Sequence, residues 1–487
     1  MKPRMAKAAS ALIDAALRGE LTEAQARQLY EYGPEAVTFA LAAAARRIAQ
    51  LESRLHPSSA VPVVSPSTPS GMIPVYAKPN VRRRSKKPGA RNGHAGARRA
   101  QPMRTDRQVE HRLKRCPHCA GPLQRCQRVR SRIIEDIPEP IVPVVTEHLI
   151  HRDYCPQCKK HVEPAVPDAL PHASLGHHLV GLSSWLHYGL GVTLAQIIDV
   201  LNYSMHFPLT PGGLVQAWRR VGEVLVPWYE QIAAQAKASA VLHADETGWR
   251  VNGQTYWLWC FANAQVCYYM IDRNRGSPVL AKFFNQAFNG VLVTDFWKAY
   301  ASVEAYDRQY CLAHLLRELE KVDERNGSAD WRRFAKHLRR LLRDGFRLKS
   351  RRRTRGGSAE AYQRRCTQLN RRLAALSAAR WRDADAVRLA GRLSDHGEHI
   401  LTFLDYPEVP PDNNFAERQI RPAVILRKNS QSNRSEQGAA TQGVLMSVYR
   451  TLKLRGLDPT KTIAEALKTY VETGQLPPLP EPAIANG

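Results

Sequence analysis

Apolar positions along this chain fall first at helical spacing and then in short runs, and the change of pattern marks its parts. Between residues 175 and 235 they fall at helical spacing, in LVGLSSWLHYGL, TLAQIIDVLNYSM and GGLVQAWRRVGEVLVPWYEQIAAQA, which predicts helices. The connection HFPLTP is longer than the turn of a helix-turn-helix, so these helices read as packing elements first and as a helix-turn-helix-like DNA-binding region second. From residue 238 the pattern switches. SAVLHAD, YWLWCFA, QVCYYMI and GVLVTDF are short β-branched and aromatic runs, separated by turn signals such as Asn252-Gly253 and Asn263-Ala264. SPVLAKFFNQ reads as a helix, and RQYCLA as a fifth strand. Three strands in a meander, then helix, strand, helix and strand, predict an α/β fold with a mixed sheet and a crossover. Residues 312–402 keep a helical, Arg-rich pattern with no strand signal, as a helical insertion in the sheet domain would. A Pro-rich hinge (Tyr406-Pro407, Pro410-Pro411) then precedes a new helix.

Toward the N-terminus, Thr22, Glu23 and Gln25 open an Ala-rich helical stretch interrupted at Gly33-Pro34, and Leu41, Ile48, Leu51 and Leu55 fall near heptad spacing. The stretch 56–104 is rich in Pro, Ser, Gly and Arg and reads as a basic linker. The division predicted is an N-terminal helical region (1–55), the linker (56–104), a cysteine-bearing domain (105–165), a helical region (166–237), a sheet core in two parts (238–311 and 403–455) around the insertion (312–402), and a C-terminal helix and tail (456–487). No apolar run approaches the roughly 20 residues of a membrane span, which excludes a spanning protein. The N-terminus lacks the long apolar stretch of a secretory signal, so a cytoplasmic location is expected.

Composition sharpens the functional question. Of 487 residues 44% are hydrophobic, ordinary for a globular chain, yet the formal net charge is +27. Residues 82–115 carry 13 Lys/Arg against Asp106 and Glu110, and residues 331–382 carry 18 against Asp344 and Glu360, so these two segments hold the whole excess. Concentrated positive charge on a neutral remainder points to a polyanion, most simply nucleic acid, rather than to a membrane surface.

Cys116-Pro-His-Cys119 and Cys155-Pro-Gln-Cys158 are two Cys-x-x-Cys knuckles, 35 residues apart. Paired knuckles supply the four thiolates of a tetrahedral, structural Zn²⁺ site. The remaining cysteines show no disulfide framework, in keeping with a reducing compartment. Cys311 and His314 could bind a metal, but packing is the simpler reading of two ligands without visible partners.

Asp245 closes VLHAD and Asp295 closes VLVTD, each at the end of an apolar strand, where sites of α/β sheets lie. Glu417 follows Pro410-Pro411-Asp412-Asn413-Asn414, in the first turn of a helix that Asp412 or Asn413 can cap. Singly, the aspartates could be turn residues, and Glu417 could pair with Arg421. Together on a basic chain they suggest one carboxylate cluster. Phosphodiester chemistry needs two hard cations about 4 Å apart, and Mg²⁺ takes carboxylate oxygens. Glu246 is left out, because strand alternation turns it from Asp245.

HADETGWRV around Asp245, VTDFWKAY around Asp295 and NNFAERQIRP around Glu417 resemble three blocks of the insertion-sequence-66 family of bacterial DDE transposases. ILRKNSQSNRSEQGAATQGVLMSVYRTLKLRGLDP, KKPGARNGHAGARR and YCLAHLLREL (Cys311, His314, Arg317) extend the resemblance over roughly residues 80–480. It implies an RNase H-like core with a helical insertion before the glutamate, preceded by a zinc-finger-like domain. It also implies Asp245, Asp295 and Glu417 as catalytic ligands of two Mg²⁺ (or Mn²⁺) ions. The reaction implied frees a 3′-OH at the element end and joins it to target DNA. Arg418, Arg421, Arg427 and Lys428 are then placed to contact phosphates. The implied partners are terminal inverted repeats, target DNA, at least one further copy of the chain, and accessory proteins of the same element, in a bacterial cytoplasm at the nucleoid. A non-catalytic DNA-binding relative and a structure-selective nuclease are the alternatives.

Overall fold

The computed structural model describes residues 141–355, 358–430 and 432–483, together with Leu12, 22–34, 36–38, 40–41, 104–113, 115–123 and 131–134. The chain divides into two units, 1–84 and 85–487. In the first, helix α1 (Glu23–Glu31) starts at Thr22, whose hydroxyl accepts the Gln25 N–H while the Gln25 side chain accepts the Thr22 N–H, a reciprocal capping box. The helix stops before Gly33, at φ +95°. Ile48, Leu51, Leu55, Cys126 and most of the linker lie outside the described residues.

In the second unit, a small hairpin pairs β1 (Asp153–Cys155) with β2 (Lys160–Val162). Four helices follow: α2 (His177–Ser184), α3 (Leu194–Asp199), α4 (Pro211–Val224) and α5 (Val226–Lys237). They carry Ile197, Leu214, Trp218, Trp228 and Ile232 into one core with the sheet. That burial favours the packing reading of these helices. Trp218 donates from its indole to Ser183, and Trp228 to the Pro477 carbonyl, so both polar edges are satisfied.

The sheet has five strands: β3 (Val241–Val251), β4 (Gln254–Ala262), β5 (Cys267–Asp272), β6 (Phe288–Thr294) and β7 (Ala305–Tyr310), in the spatial order β5-β4-β3-β6-β7. The meander β3-β4-β5 is antiparallel, while β3-β6 and β6-β7 are parallel. This mixed α/β arrangement is compatible with an RNase H-like core. The Asn252-Gly253 turn holds both residues at positive φ, the conformation that joins two strands with matching twist. Gly290 permits close passage of β6, since a Cβ there would lie 2.4 Å from the Ser239 carbonyl. Helix α6 (Ser277–Phe283) links β5 to β6 as expected, but the segment before β7 is a 3-10 turn over Lys298–Ser302 rather than a helix. Ten residues separate Thr294 from Ala305, and this turn takes up half of them.

One expectation is corrected. Asp245 does not end its strand: β3 runs on to Val251, because Thr247, Trp249 and Val251 continue the antiparallel ladder with β4. What ends at His243 is the parallel pairing with β6.

The insertion consists of α7 (Leu312–Asp323), α8 (Ala329–Arg355), α9 (Ala359–Ala378) and α10 (Ala384–Asp395), then two 3-10 turns. It has its own core, with Trp331, Phe334, Leu338, Leu342 and Phe403 buried, joined to the sheet through Val291 and Val293 of β6. On α8 the apolar face carries Trp331, Phe334, Leu338, Leu341 and Leu348. The opposite face exposes Arg332, Lys336, Arg340, Arg343, Arg347 and Arg351. The Lys349 ammonium donates to the carbonyls of Phe403, Tyr406 and Val409, fastening α8 to the segment that leads out of the insertion. Helices α11 (Asn414–Ser430), α12 (Glu436–Leu454) and α13 (Pro459–Thr473) complete the unit, with α12 buried on nearly every side. Among the described residues no helix is long and apolar enough to cross a membrane.

Candidate functional site

Parallel pairing of β3 with β6 sets the first half of the site. The last paired residues are His243 and Val293, and two positions further each strand reaches an aspartate, Asp245 and Asp295. Equal steps beyond one register put both side chains on the same face of neighbouring strands, about 5 Å apart in backbone. Asp245 accepts the N–H of Glu246 at 3.0 Å, and Asp295 that of Trp297 at 2.9 Å.

Asn413 supplies the other half. Only 1% exposed, it donates its side-chain N–H to the Ala244 carbonyl (2.8 Å) and its backbone N–H to the Cys311 sulfur (3.1 Å). Its Oδ1 accepts from His243 Nδ1 at 3.0 Å, which fixes the tautomer of a buried, neutral imidazole whose pKa burial pushes down to about 4. Asn413 therefore pins the start of α11 to the residue before Asp245. Its carbonyl accepts the N–H of Glu417, which sits in the first turn.

The three acids share one electrostatic neighbourhood. Burial first, then the charges of Glu246, Asp295 and Glu417, hold the Asp245 carboxyl well above the usual carboxylate range. Asp295 is pushed up to about 7 by burial and by Glu246 and Glu417, against the Trp297 N–H and the Arg275 charge. Aspartates raised by burial and by neighbouring acids fit a hard cation, which relieves the repulsion. Glu417 does not pair with Arg421. Its Oε1 accepts from Arg317 at 2.6 Å and lies 3.7 Å from His314 Nε2.

Glu246 belongs to the site as well. Its carboxylate, 2% exposed, takes two bonds from Arg275 (2.7 and 3.0 Å) and one from the Tyr300 hydroxyl (2.6 Å). The Arg275 guanidinium stacks between Trp257 and Trp297, 4.4 and 4.0 Å from their ring centres. Strand alternation set Glu246 aside, and no local spacing announces Arg275 or Tyr300. Cys311 and His314, read from sequence as packing, gather with Glu417: one donor atom of each lies within 4.8 Å of the other two, the one such triad among the described residues.

The remaining candidates divide. Arg418, Arg421 and Lys428 are exposed along α11, with Arg418 over the Phe415 ring. Arg427 turns inward and donates to the Thr247 hydroxyl and the Gly248 carbonyl of β3. Each cysteine knuckle aims backbone N–H groups at its first sulfur. Those of His118 and Cys119 lower the Cys116 pKa, and the N–H and thiol of Cys158 that of Cys155, which favours thiolate. The two pairs do not fall into one four-sulfur cluster. The nearby segment leaves Val144 and Val145 about nine-tenths exposed.

A family model described as Transposase IS66 family matches residues 172–441. That span contains Asp245, Asp295, Glu417 and the insertion, and begins after both knuckles. Two relatives from Sinorhizobium fredii (strain NBRC 101917 / NGR234) align with the chain. The uncharacterized protein y4jD is 24% identical over 413 residues, 74% of this chain and 76% of that protein. The uncharacterized protein y4qI is 26% identical over 235 residues, 43% of each.

Proposed function

The chain belongs to the IS66 family of transposases, and from that premise we propose that it cuts and joins DNA at the ends of an insertion sequence, with Asp245, Asp295 and Glu417 as its catalytic carboxylates. The observation that supports this reading is electrostatic: the charges of Asp295 and Glu417 act on the buried Asp245, and that of Glu417 on Asp295, from β3, the end of β6 and the start of α11. These residues would hold Mg²⁺ or Mn²⁺. A pair of such ions supplies activation of the attacking oxygen and stabilisation of the leaving oxygen in an in-line displacement. Water adds across the phosphodiester at the element end, leaving a 3′-OH, and that hydroxyl then displaces a 3′-oxygen in the target.

Around this chemistry the chain's own groups position and bind. Asn413 sets Glu417 against β3, and Arg317 holds it until cations compete. Glu246, clamped by Arg275 and Tyr300, keeps a fixed negative charge behind the aspartates. Arg418 and Arg421 face solvent within about a turn of Glu417 and Lys428 faces solvent in the last turn of the same helix, a line along which phosphates near the cut would lie, and the outer face of α8 offers sequence-independent affinity for duplex DNA. We assign the knuckles Cys116/Cys119 and Cys155/Cys158 to a structural Zn²⁺ that draws their segment together. Holding two element ends calls for at least a dimer, with accessory proteins of the element as further partners.

The test is incubation of the full chain with Mg²⁺ and DNA carrying the element's terminal repeats. Cleavage at the repeat ends that leaves a 3′-OH is expected. Binding without cleavage under any divalent metal marks a non-catalytic relative, and cleavage without preference for the repeats marks a structure-selective nuclease.

A pH dependence follows from Asp295. Its folded-state pKa of about 7 lies above the ordinary 3.8, so this group's contribution to stability is fully present below about pH 4 and is lost as pH rises through about 7. Bound Mg²⁺ needs the ionised form and restores what is lost. Thermal melts with Mg²⁺ and with chelator are expected to diverge more at about pH 8 than at about pH 6. The divergence should flatten in Asp295→Asn.

A further inference from the structure

Cys311 stands at the N-terminus of α7, His314 lies one turn along, and Glu417 enters from α11. Their donor atoms lie within 4.8 Å of one another. The Asn413 N–H on the Cys311 sulfur locks the two helix starts together. The buried Nδ1 of His314 has no hydrogen-bond partner, while its Nε2 faces Glu417. Sulfur, imidazole nitrogen and a single carboxylate oxygen form a borderline-soft set, suited to zinc or cobalt and unsuited to Mg²⁺, which takes oxygen ligands.

We propose that Cys311, His314 and Glu417 form a site for a zinc-class divalent ion, separate from the Mg²⁺ ions of the reaction, whose occupancy withdraws Glu417 from Asp245 and Asp295. Binding releases the Cys311 proton to solvent, so one ion enters and one proton leaves. The withdrawal rests on the function proposed above, whereas the ion site rests on the donor geometry. Arg317, which donates to Glu417 Oε1, is the group the ion would compete with. Free zinc would then keep the carboxylate cluster incomplete.

Titration of the full chain with Co²⁺ reads the site directly, through the thiolate-to-cobalt charge-transfer absorption. The knuckle cysteines contribute too, so the quantity read is the difference between wild type and Cys311→Ser. Serine is close in size and offers an oxygen that can still accept the Asn413 N–H. Cys311→Ser and His314→Gln are each expected to take up one equivalent less of cobalt in the tight phase, a loss of about 100-fold or more in affinity for that ion. Cys311→Ser should also lose the matching absorption. Superimposable titrations of wild type and Cys311→Ser, with both variants melting as wild type without metal, overturn the site. Withdrawal is read by adding Zn²⁺ to the Mg²⁺ melts: zinc should cancel the Mg²⁺ stabilisation in wild type and not in Cys311→Ser. Equal cancellation in both overturns the withdrawal. Absence of any Mg²⁺ stabilisation strikes the function itself and leaves cobalt to decide the ion site.

Discussion

Replacing Asp295 or Asp245 by Asn will abolish Mg²⁺-dependent cleavage of terminal-repeat DNA, by about 10³-fold or more, because at least about 4 kcal/mol of transition-state stabilisation depends on each metal-binding carboxylate. The substitutions keep the side-chain volume, so the sheet has no cavity to absorb. They also remove a charge that burial and the neighbouring acids already disfavour. The metal-free variants should therefore melt at or above wild type at about pH 8, where the native aspartates are most strained by ionisation. Duplex binding should be retained, since the cations outside the pocket are untouched. This combination, with folding and binding kept and cleavage lost, separates chemistry from stability. Glu417→Gln should match the aspartate variants. Glu246→Gln should lose less, on the order of 10- to 100-fold, as a charge acting behind the ligands. Wild-type cleavage rates in Asp295→Asn, measured by release of the labelled end, would remove the carboxylates from the reaction.

How much of this was legible in the sequence depends on the range of the interaction. The strands were, because short runs of β-branched and aromatic residues between turn signals mark sheet whatever lies beside them, and β4 and β5 follow their runs closely. The insertion was legible for the same reason, its apolar period being helical from Leu312 to Leu393. Asp245 was misread as a strand end, since the continuation through Thr247, Trp249 and Val251 depends on β4 as partner and not on a local apolar run. Glu246 was set aside by alternation, a rule that fixes the side of the sheet a residue faces. It cannot reveal that Arg275 and Tyr300, 29 and 54 residues away, meet the carboxylate there. The gathering of Cys311, His314 and Glu417 was hidden likewise, because Cys311 and Asn413, 102 positions apart, are brought together by an N–H to sulfur bond, by the Leu312 N–H on the Pro411 carbonyl and by the folding of the whole insertion. Three acids could be nominated by their flanking patterns, but their partners are products of the topology.

Neutralising the middle of the α8 stripe, as Arg340→Gln/Arg343→Gln/Arg347→Gln, is expected to weaken duplex binding on the order of 10²-fold at about 0.1 M salt and to reduce the slope of log K against log salt by about 2.7. The six cations Arg332, Lys336, Arg340, Arg343, Arg347 and Arg351 recur at steps of three or four residues. They therefore keep to one side of the helix, opposite Trp331, Phe334, Leu338 and Leu348. From Arg332 to Arg351 the stripe extends about 28 Å, one charge roughly every 6 Å. The acids of α8 are engaged elsewhere, Asp330 with Arg333 and Asp344 with Arg372, and neither neutralises the stripe. A row of unpaired charge at this density suits a polyanion with regularly spaced phosphates, and each contact made releases condensed counterions, which produces the salt dependence. Folding is not at risk, because all three side chains are exposed. The control is a charge-matched triple on the C-terminal helices, Lys453→Gln/Lys461→Gln/Lys468→Gln, whose side chains are also exposed. Anisotropy titrations of a short labelled duplex at several salt concentrations decide the matter. Equal slopes for the two triples would show that net charge alone, and not the outer face of α8, carries the affinity. A lower slope confined to the α8 triple, with the same fractional loss on unrelated duplex sequences, is the signature of backbone contact without base readout.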